Sequence, residues 1–289
     1  MRWIVLALGS ALFQVLRNMV MKRLGHALDE TINVWGRFTF ILPFAAAAVL
    51  VYGTPTLESG VWLYCLLFAI TQIAGTQCLA LALNVAEISL VTALWKLSVL
   101  LLVVWGVLTL GESPSWLGVV GVVISVLGVY LLNVERARLS PLAPLLALVR
   151  DRGQRYTLGA AFFYAPSVIL IKKIALLSSP TFAVFGGYLF CSAIITPFAI
   201  YRSGRHFSQI GRHWLSFIAL GAFAAISTWL GTAAYTMTVS SYVEAVKQLE
   251  LVMALAIGYL VFGEGARVKL IWPGCVVMLC GLVLLILGS

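Results

Sequence analysis

The chain has 289 residues, 62% of them hydrophobic and only 10% charged, with a mean hydropathy of +1.05. Soluble domains carry about 25% charged residues, so composition excludes a soluble enzyme or adaptor and leaves a polytopic membrane protein. A net charge of +9 would suggest nucleic acid in a soluble chain, but here most basic residues flank apolar runs, where they set orientation in a bilayer.

Ten apolar segments, at 3–24, 31–52, 60–82, 88–110, 115–133, 156–178, 180–201, 214–237, 240–262 and 269–288, are predicted as helices. Each is close to the ~20 residues that span a hydrocarbon core, and only helices satisfy their backbone there at this length. The first run has no A-x-A-like exit and carries Gln14, Arg17 and Asn18, so it reads as a span and not as a cleaved signal. Those three residues share one helical face. The second run holds Arg37 in "WGRFTF" and the third holds Gln72 and Gln77. The fourth carries Lys96 and closes in "LGE". After the fifth, "NVERARLSPLAPLLALVRDRGQR" is a basic linker whose middle, 142–149, is predicted to lie along the membrane surface. The sixth run contains Tyr164 and the eighth Trp229 and Tyr235. The ninth, "EAVKQLELVMALAIGYLVFGE", carries Glu244, Lys247, Gln248 and Glu250. Pro43, Pro166, Pro197 and Pro273 are candidate kinks, and Trp35, Trp62 and Trp214 candidate interfacial anchors. The five cysteines lie in apolar runs without metal-ligand spacing.

The two sides of the linker resemble each other. Gly9 aligns with Gly159, and Lys22-Arg23 with Lys172-Lys173, at one offset; Trp62-Leu63 and Gly111-Glu112 align with Trp214-Leu215 and Gly263-Glu264 at a slightly larger one. Gly121 and Gly128 then fall on Gly274 and Gly281. The pattern predicts a duplicated five-helix unit: residues 1–133, a linker at 134–155, and residues 156–289. Because five is odd, the second copy enters the membrane from the opposite side, which gives an inverted-topology repeat with a site between the halves. The expected class is thus an all-α polytopic membrane protein of ten transmembrane helices in two inverted five-helix repeats. Twelve loop lysines and arginines on one side, Lys22 among them, against three on the other, Lys172 among them, predict that both termini are extracytoplasmic.

With "LGE" and "FGE" closing the fourth and ninth runs, a Gly-rich last helix in each half, and Arg37 in the second, the sequence resembles the ten-helix EamA-type form of the drug/metabolite transporter superfamily. The resemblance covers the whole chain. Leu97-Ser98 and Leu249-Glu250 stand where that family often writes Leu-Ser/Glu-Pro, with Val99 and Leu251 in place of the proline. It implies a small-molecule transporter; family members move amino acids, nucleotide sugars, sugar phosphates, amines or lipid-linked sugars. It also implies cytoplasmic termini, opposite to the loop-charge expectation.

An intramembrane cation facing lipid costs about 2.5–3.5 kcal/mol, so Arg17, Arg37, Lys96 and Lys247 are expected to face the bundle interior or an aqueous cavity. At ~1.5 Å per residue the first three lie roughly 9–12 Å below one surface, from which Arg37 is near enough to snorkel. Lys247 has Glu244 and Glu250 three residues to either side, which suits an ion-pair ladder as well as a substrate or proton role. Candidate substrate-binding residues are Lys96, Arg17, Gln14, Asn18, Arg37, Lys247, Gln248, Gln72, Tyr164 and Trp229. Glu250 is the candidate for ion coupling. Lys96, the deepest of the first three cations and without an acid one turn away on its helix, is the leading candidate, whereas Gln72, Gln77, Tyr164, Trp229, Tyr235 and Gln248 suit helix–helix contacts as well as a pathway. Glu87, Glu112 and Glu264 sit at helix ends and read as caps open to water.

All three histidines and both aspartates fall in loops, and no HExxH, nucleophile elbow or P-loop occurs. The expected function is secondary transport of a small polar metabolite, anionic or zwitterionic, by alternating access, in a bacterial inner membrane. A flippase for an anionic lipid or lipid-linked sugar is the second reading, and a non-transporting membrane enzyme or scaffold the third. No cofactor, metal or nucleic-acid partner is expected; the partners are the substrate, whether small molecule or lipid, and the surrounding membrane lipids.

Overall fold

A computed structural model describes residues 2–95, 97–110, 115–132, 143–238, 240–247 and 249–287. The described residues are helical, with short connections and no strand. In chain order the helices are α1 Arg2–Gly25, α2 Glu30–Tyr52, α3 Val61–Val85, α4 Ile88–Trp95, α5 Leu97–Leu110, α6 Trp116–Leu131 and α7 Ala143–Arg150. They continue with α8 Arg152–Leu176, α9 Pro180–Ser203, α10 Trp214–Met237, α11 Ser240–Val246, α12 Leu249–Leu260 and α13 Gly265–Leu287. A 3₁₀ segment, Gly204–His213, joins α9 to α10. Five continuous helical stretches are long and apolar enough to cross a bilayer: Arg2–Gly25, Glu30–Tyr52, Val61–Val85, Arg152–Leu176 and Pro180–Met237.

Local chemistry sets where these helices begin and end. Asp29, Asp151 and Ser179 cap α2, α8 and α9, accepting from the backbone N–H of Ile32 (2.9 Å), Gln154 (3.1 Å) and Phe182 (3.1 Å). Pro180 at the first position of α9 suits a residue without an N–H. Gly53 stops α2 at φ 89°, a conformation that a side chain would strain. The expected continuous span at 240–262 is instead divided. Around Lys247 the chain tightens, with the Glu250 amide donating three residues back to the Lys247 carbonyl (3.0 Å), a 3₁₀-like step that separates α11 from α12.

The long helices pair across the two sides of the linker. α1 packs along α10, α3 along α8, α2 against α9 and α6 against α13. Small residues permit the closest approaches. A Cβ on Gly274 of α13 would stand 2.8 Å from the Gly128 carbonyl of α6, and one on Gly221 of α10 would collide with the Phe40 carbonyl of α2. A backbone oxygen in the middle of a helix cannot retreat as a side chain can. Gly221→Ala is therefore expected to cost about 1–3 kcal/mol by overpacking, read as a lower melting temperature in detergent.

The connections gather at two ends. At one, Lys22 meets Glu264 and Ala86, and Arg202 at the close of α9 reaches Glu30 (3.4 Å). At the other, the Glu58 amide donates to the Leu177 carbonyl (3.1 Å) and Lys172 to the Thr238 carbonyl (3.3 Å). Of the three tryptophans expected at interfaces, Trp62 and Trp214 are half exposed, whereas Trp35 is packed inward. Its ring lies 4.8 Å from that of Phe207 and its indole N–H donates to Thr196 (3.1 Å), because the 3₁₀ segment folds over that end of α2.

Candidate functional site

Between the paired helices lies a small polar cavity of about 40 Å³, room for a few waters. Its walls come from both sides of the linker: Ser10, Gln14 and Arg17 of α1, Arg37 of α2, Phe68 and Gln72 of α3, Tyr164 of α8, Tyr188 of α9, Ser227, Thr228 and Tyr235 of α10, and Lys247. Six of the ten candidate substrate-binding residues thus meet here, Gln14, Arg17, Arg37, Gln72, Tyr164 and Lys247, together with Tyr235. Asn18 stands behind the wall, its side-chain oxygen accepting from Arg17 Nε (3.2 Å) and Nη2 (2.9 Å). Trp229 stands off it, its ring 5.7 Å from that of Tyr52 near the outer surface. Lys96 and Gln248 lie outside the described residues.

The two arginines are buried, at 4% and 2% exposure, and among the described residues neither is paired with a carboxylate. Arg17 leans on Asn18. Arg37 donates one bond, from Nη1 to Thr76 Oγ1 (3.1 Å), while its Nε is buried with no acceptor among the described residues. A guanidinium out of water normally takes a carboxylate partner, and this pair shares a cavity without one. Tyr188, Gln72 and Thr228 add neutral polar atoms: Gln72 Nε2 donates to the Tyr188 hydroxyl (3.3 Å), which lies 3.4 Å from Thr228 Oγ1.

Lys247 is satisfied in a different way. Its ammonium donates to Glu244 Oε1 (2.8 Å), Tyr164 OH (3.0 Å) and Tyr235 OH (3.2 Å), and Tyr235 in turn donates to Glu244. All three donors of the ammonium have partners, and the cluster ties α8 and α10 to the turn between α11 and α12. Of the two acids that the sequence sets beside Lys247, Glu244 makes the ion pair, while Glu250 turns to α1 and accepts from Gln14 Nε2 (2.9 Å). Ser10 and Ser227 join α1 to α10 mid-helix, each hydroxyl donating to the other residue's carbonyl (2.8 and 3.0 Å).

One sequence expectation is corrected away from the cavity. Glu264 is no water-facing cap, and Lys22 is no free loop charge. They form a buried ion pair at 3.1 Å, with side chains 6% and 8% exposed. Lys22 also donates to the Ala86 carbonyl (2.9 Å). Glu264 accepts from the amides of Ile88 (3.0 Å) and Ser89 (3.2 Å) and from Ser89 Oγ (2.8 Å), which caps α4 from a distant part of the chain. Burial pushes the Glu264 carboxyl up, but the Ser89 bond, the Lys22 charge and the Ile88 amide outweigh it and hold the group below its ordinary value of 4.5. A carboxylate held low adds stability above that ordinary value and loses it as pH falls through the lower folded value. The melting temperature is therefore expected to fall on acidification below about pH 4.5, and Glu264→Gln to flatten that part of the profile.

Long apolar helices around a buried polar cavity with surplus positive charge define a membrane transport protein. The particular family follows from comparison with known proteins. The chain belongs to the EamA-like transporter family, whose model matches it at residues 1–134 and again at 152–287; it is thus a polytopic integral membrane protein of the drug/metabolite transporter superfamily. Among curated proteins it is similar to a riboflavin transporter of Vibrio cholerae serotype O1, 29% identical over 107 residues, or 36% of this chain and 35% of that protein. The alignment therefore spans about a third of the curated relative. A solved crystal structure shares the fold at TM-score 0.58 and 17% identity, covering 95% of each chain.

Proposed function

We propose that the protein is a secondary active transporter that carries a small anionic or zwitterionic metabolite by alternating access. Ten spans would form two inverted five-helix halves, 1–133 and 156–289, joined by the basic linker 134–155, with the substrate held between them. The observation that carries this reading is the pair Arg17 and Arg37, buried in one cavity with no carboxylate on either and with the Arg37 Nε left without an acceptor. A substrate oxyanion supplies the missing counter-charge. Lys96, placed by the sequence at the same depth, adds to the positive layer. Gln14, Gln72 and the Tyr188 hydroxyl offer neutral bonds to the rest of the molecule. A cavity of about 40 Å³ is too small for a metabolite, so binding requires its walls to part.

The test is flux into proteoliposomes of the purified protein, across radiolabelled carboxylates, phosphorylated metabolites, amino acids, riboflavin and an organic amine. Saturable flux of an anion or zwitterion is expected. Flux of the amine alone, or of nothing in the panel, overturns the reading. We place both termini outside the cytoplasm, because the loop-charge bias persists after buried Lys22 and half-buried Lys172, one from each side, are set aside. A cytoplasm-only reporter on Ser289 is then expected to be silent, and an active one reverses the orientation.

A further inference from the structure

The cavity has two unlike poles. Asn33 of α2 donates to the Met21 carbonyl of α1 (2.7 Å). Arg17 lies one turn back from that contact along α1 and Arg37 one turn on along α2, so in this helical hairpin both guanidiniums stem from one level. Ser10 is seven residues farther back along α1, a distance of about 10 Å. Gly231 of α10 stands at the Ser10 level, where a Cβ would come within 2.9 Å of Ser10 Oγ, and Thr232 follows it. One pole is therefore cationic, while the other carries the hydroxyls of α1 and α10.

Two buried polar atoms on the cavity wall have no partner among the described residues, and each pole holds one: Arg37 Nε and Thr232 Oγ1. Thr232 is 1% exposed. A threonine inside a helix commonly bonds a carbonyl one turn back, as Thr157 and Thr196 do to Gly153 and Ser192 (2.8 and 2.6 Å). The Thr232 hydroxyl does not. At the cationic pole, Asn18 fills the Nε–Nη2 edge of Arg17, whereas the same edge of Arg37 is open, its single bond leaving from Nη1. That edge meets a planar carboxylate with two parallel bonds. No acid is among the described residues that line the cavity. Glu244 is engaged by Lys247 and Tyr235, and Glu250 by Gln14. An ammonium entering the cavity would thus face two guanidiniums at one pole and Lys247 at the other.

We infer that the substrate is a hydroxylated carboxylate, with its acid on the open edge of Arg37 and a hydroxyl on Thr232, and that Thr232 is the residue that selects for that hydroxyl. The inference rests on an oxyanion bound at Arg37. A hydroxyl has one donor and two lone pairs, so the Thr232 hydroxyl can both give a bond to the substrate and take one from it. A plain alkyl chain leaves Thr232 Oγ1 buried and unsatisfied, which a site of this kind penalises. An amino acid brings a cation to a wall without an acid, and is rejected by charge.

The experiment measures dissociation constants by calorimetry on the purified full-length protein, for carboxylates matched in chain length. One series is propionate, glycerate and β-alanine; the other is hexanoate, gluconate and the ω-amino acid of the same length. In at least one series the hydroxylated member is expected to bind at least about tenfold tighter than the plain acid, and the amino acid to bind weakest. Thr232→Val keeps the side chain's shape and is expected to abolish that preference by weakening the hydroxylated member alone, while the ligand-free variant melts no lower than the parent. Thr232→Ser keeps the preference. An unchanged preference in Thr232→Val, an equal loss for plain and hydroxylated acids, or an amino acid that binds as tightly as the hydroxylated member overturns the inference. If carboxylates then still bind and Arg37→Gln weakens them all, the oxyanion site stands without it. If no carboxylate of either series binds, both fail.

Discussion

Arg37→Gln is expected to lower the affinity for the anion proposed as substrate by at least tenfold and to leave the empty protein as stable as before, or slightly more so. The two halves of that result share a cause. Arg37 is 2% exposed, donates one bond, to Thr76, and keeps a buried Nε without an acceptor. In the empty protein its charge is a net cost, so a neutral side chain of similar reach relieves it. When the anion is bound, the same substitution removes one partner of a buried charged contact, a loss of about 2–5 kcal/mol. Arg37→Lys is not expected to restore affinity, since an ammonium cannot present the planar fork of a guanidinium to an oxyanion. Melting temperatures measured across a series of added carboxylates and phosphates read both quantities at once. A variant that melts well below the parent without ligand would make Arg37 a structural residue.

Lys247→Met behaves in the opposite way. It removes the ammonium paired with Glu244, a carboxylate buried at 3% exposure that also accepts from the Tyr235 hydroxyl. Breaking a buried pair from one side costs about 3–5 kcal/mol, so a large fall in melting temperature is expected before any substrate is added. Lys247→Met combined with Glu244→Gln recovers much of the loss, and the double-mutant cycle gives a coupling well outside additivity. Two cations on one cavity wall thus divide by their surroundings. On the proposed reading the satisfied one holds the bundle together, and the other takes the substrate.

That division was only half visible in the sequence. Apolar runs of spanning length marked the long helices to within a few residues, because lipid tolerates no other backbone. Gln14, Arg17 and Arg37 stood out because a polar side chain inside such a run is costly wherever it faces lipid, and they do meet in one cavity. Tyr188, Ser227 and Thr228 did not stand out. Hydroxyl side chains are common in membrane helices, where they bond their own backbone, and nothing in their spacing marks the few that face a cavity. Lys22 and Glu264 were misread for another reason. Each sits at the edge of an apolar run, where water is the default neighbour, and their contact joins residues that only the folded chain brings together. Lys247 illustrates the remaining limit: helical spacing offered it two acids, and the tightened turn at 247 chose Glu244 and left Glu250 to Gln14.

The reciprocal serine bonds between α1 and α10 carry a mechanical consequence. Two hydrogen bonds at one point of the α1–α10 seam oppose sliding of the helices past each other more than a tilt about that point. Ser10 is twelve residues from Lys22, an arm of about 18 Å along α1. A tilt of only about 10° about that point would sweep the Lys22 end through roughly 3 Å. That swing is comparable to the 3.1 Å reach of the ion pair with Glu264, so a rotation small enough to leave the packing at the crossing intact is large enough to part the charges at its tip.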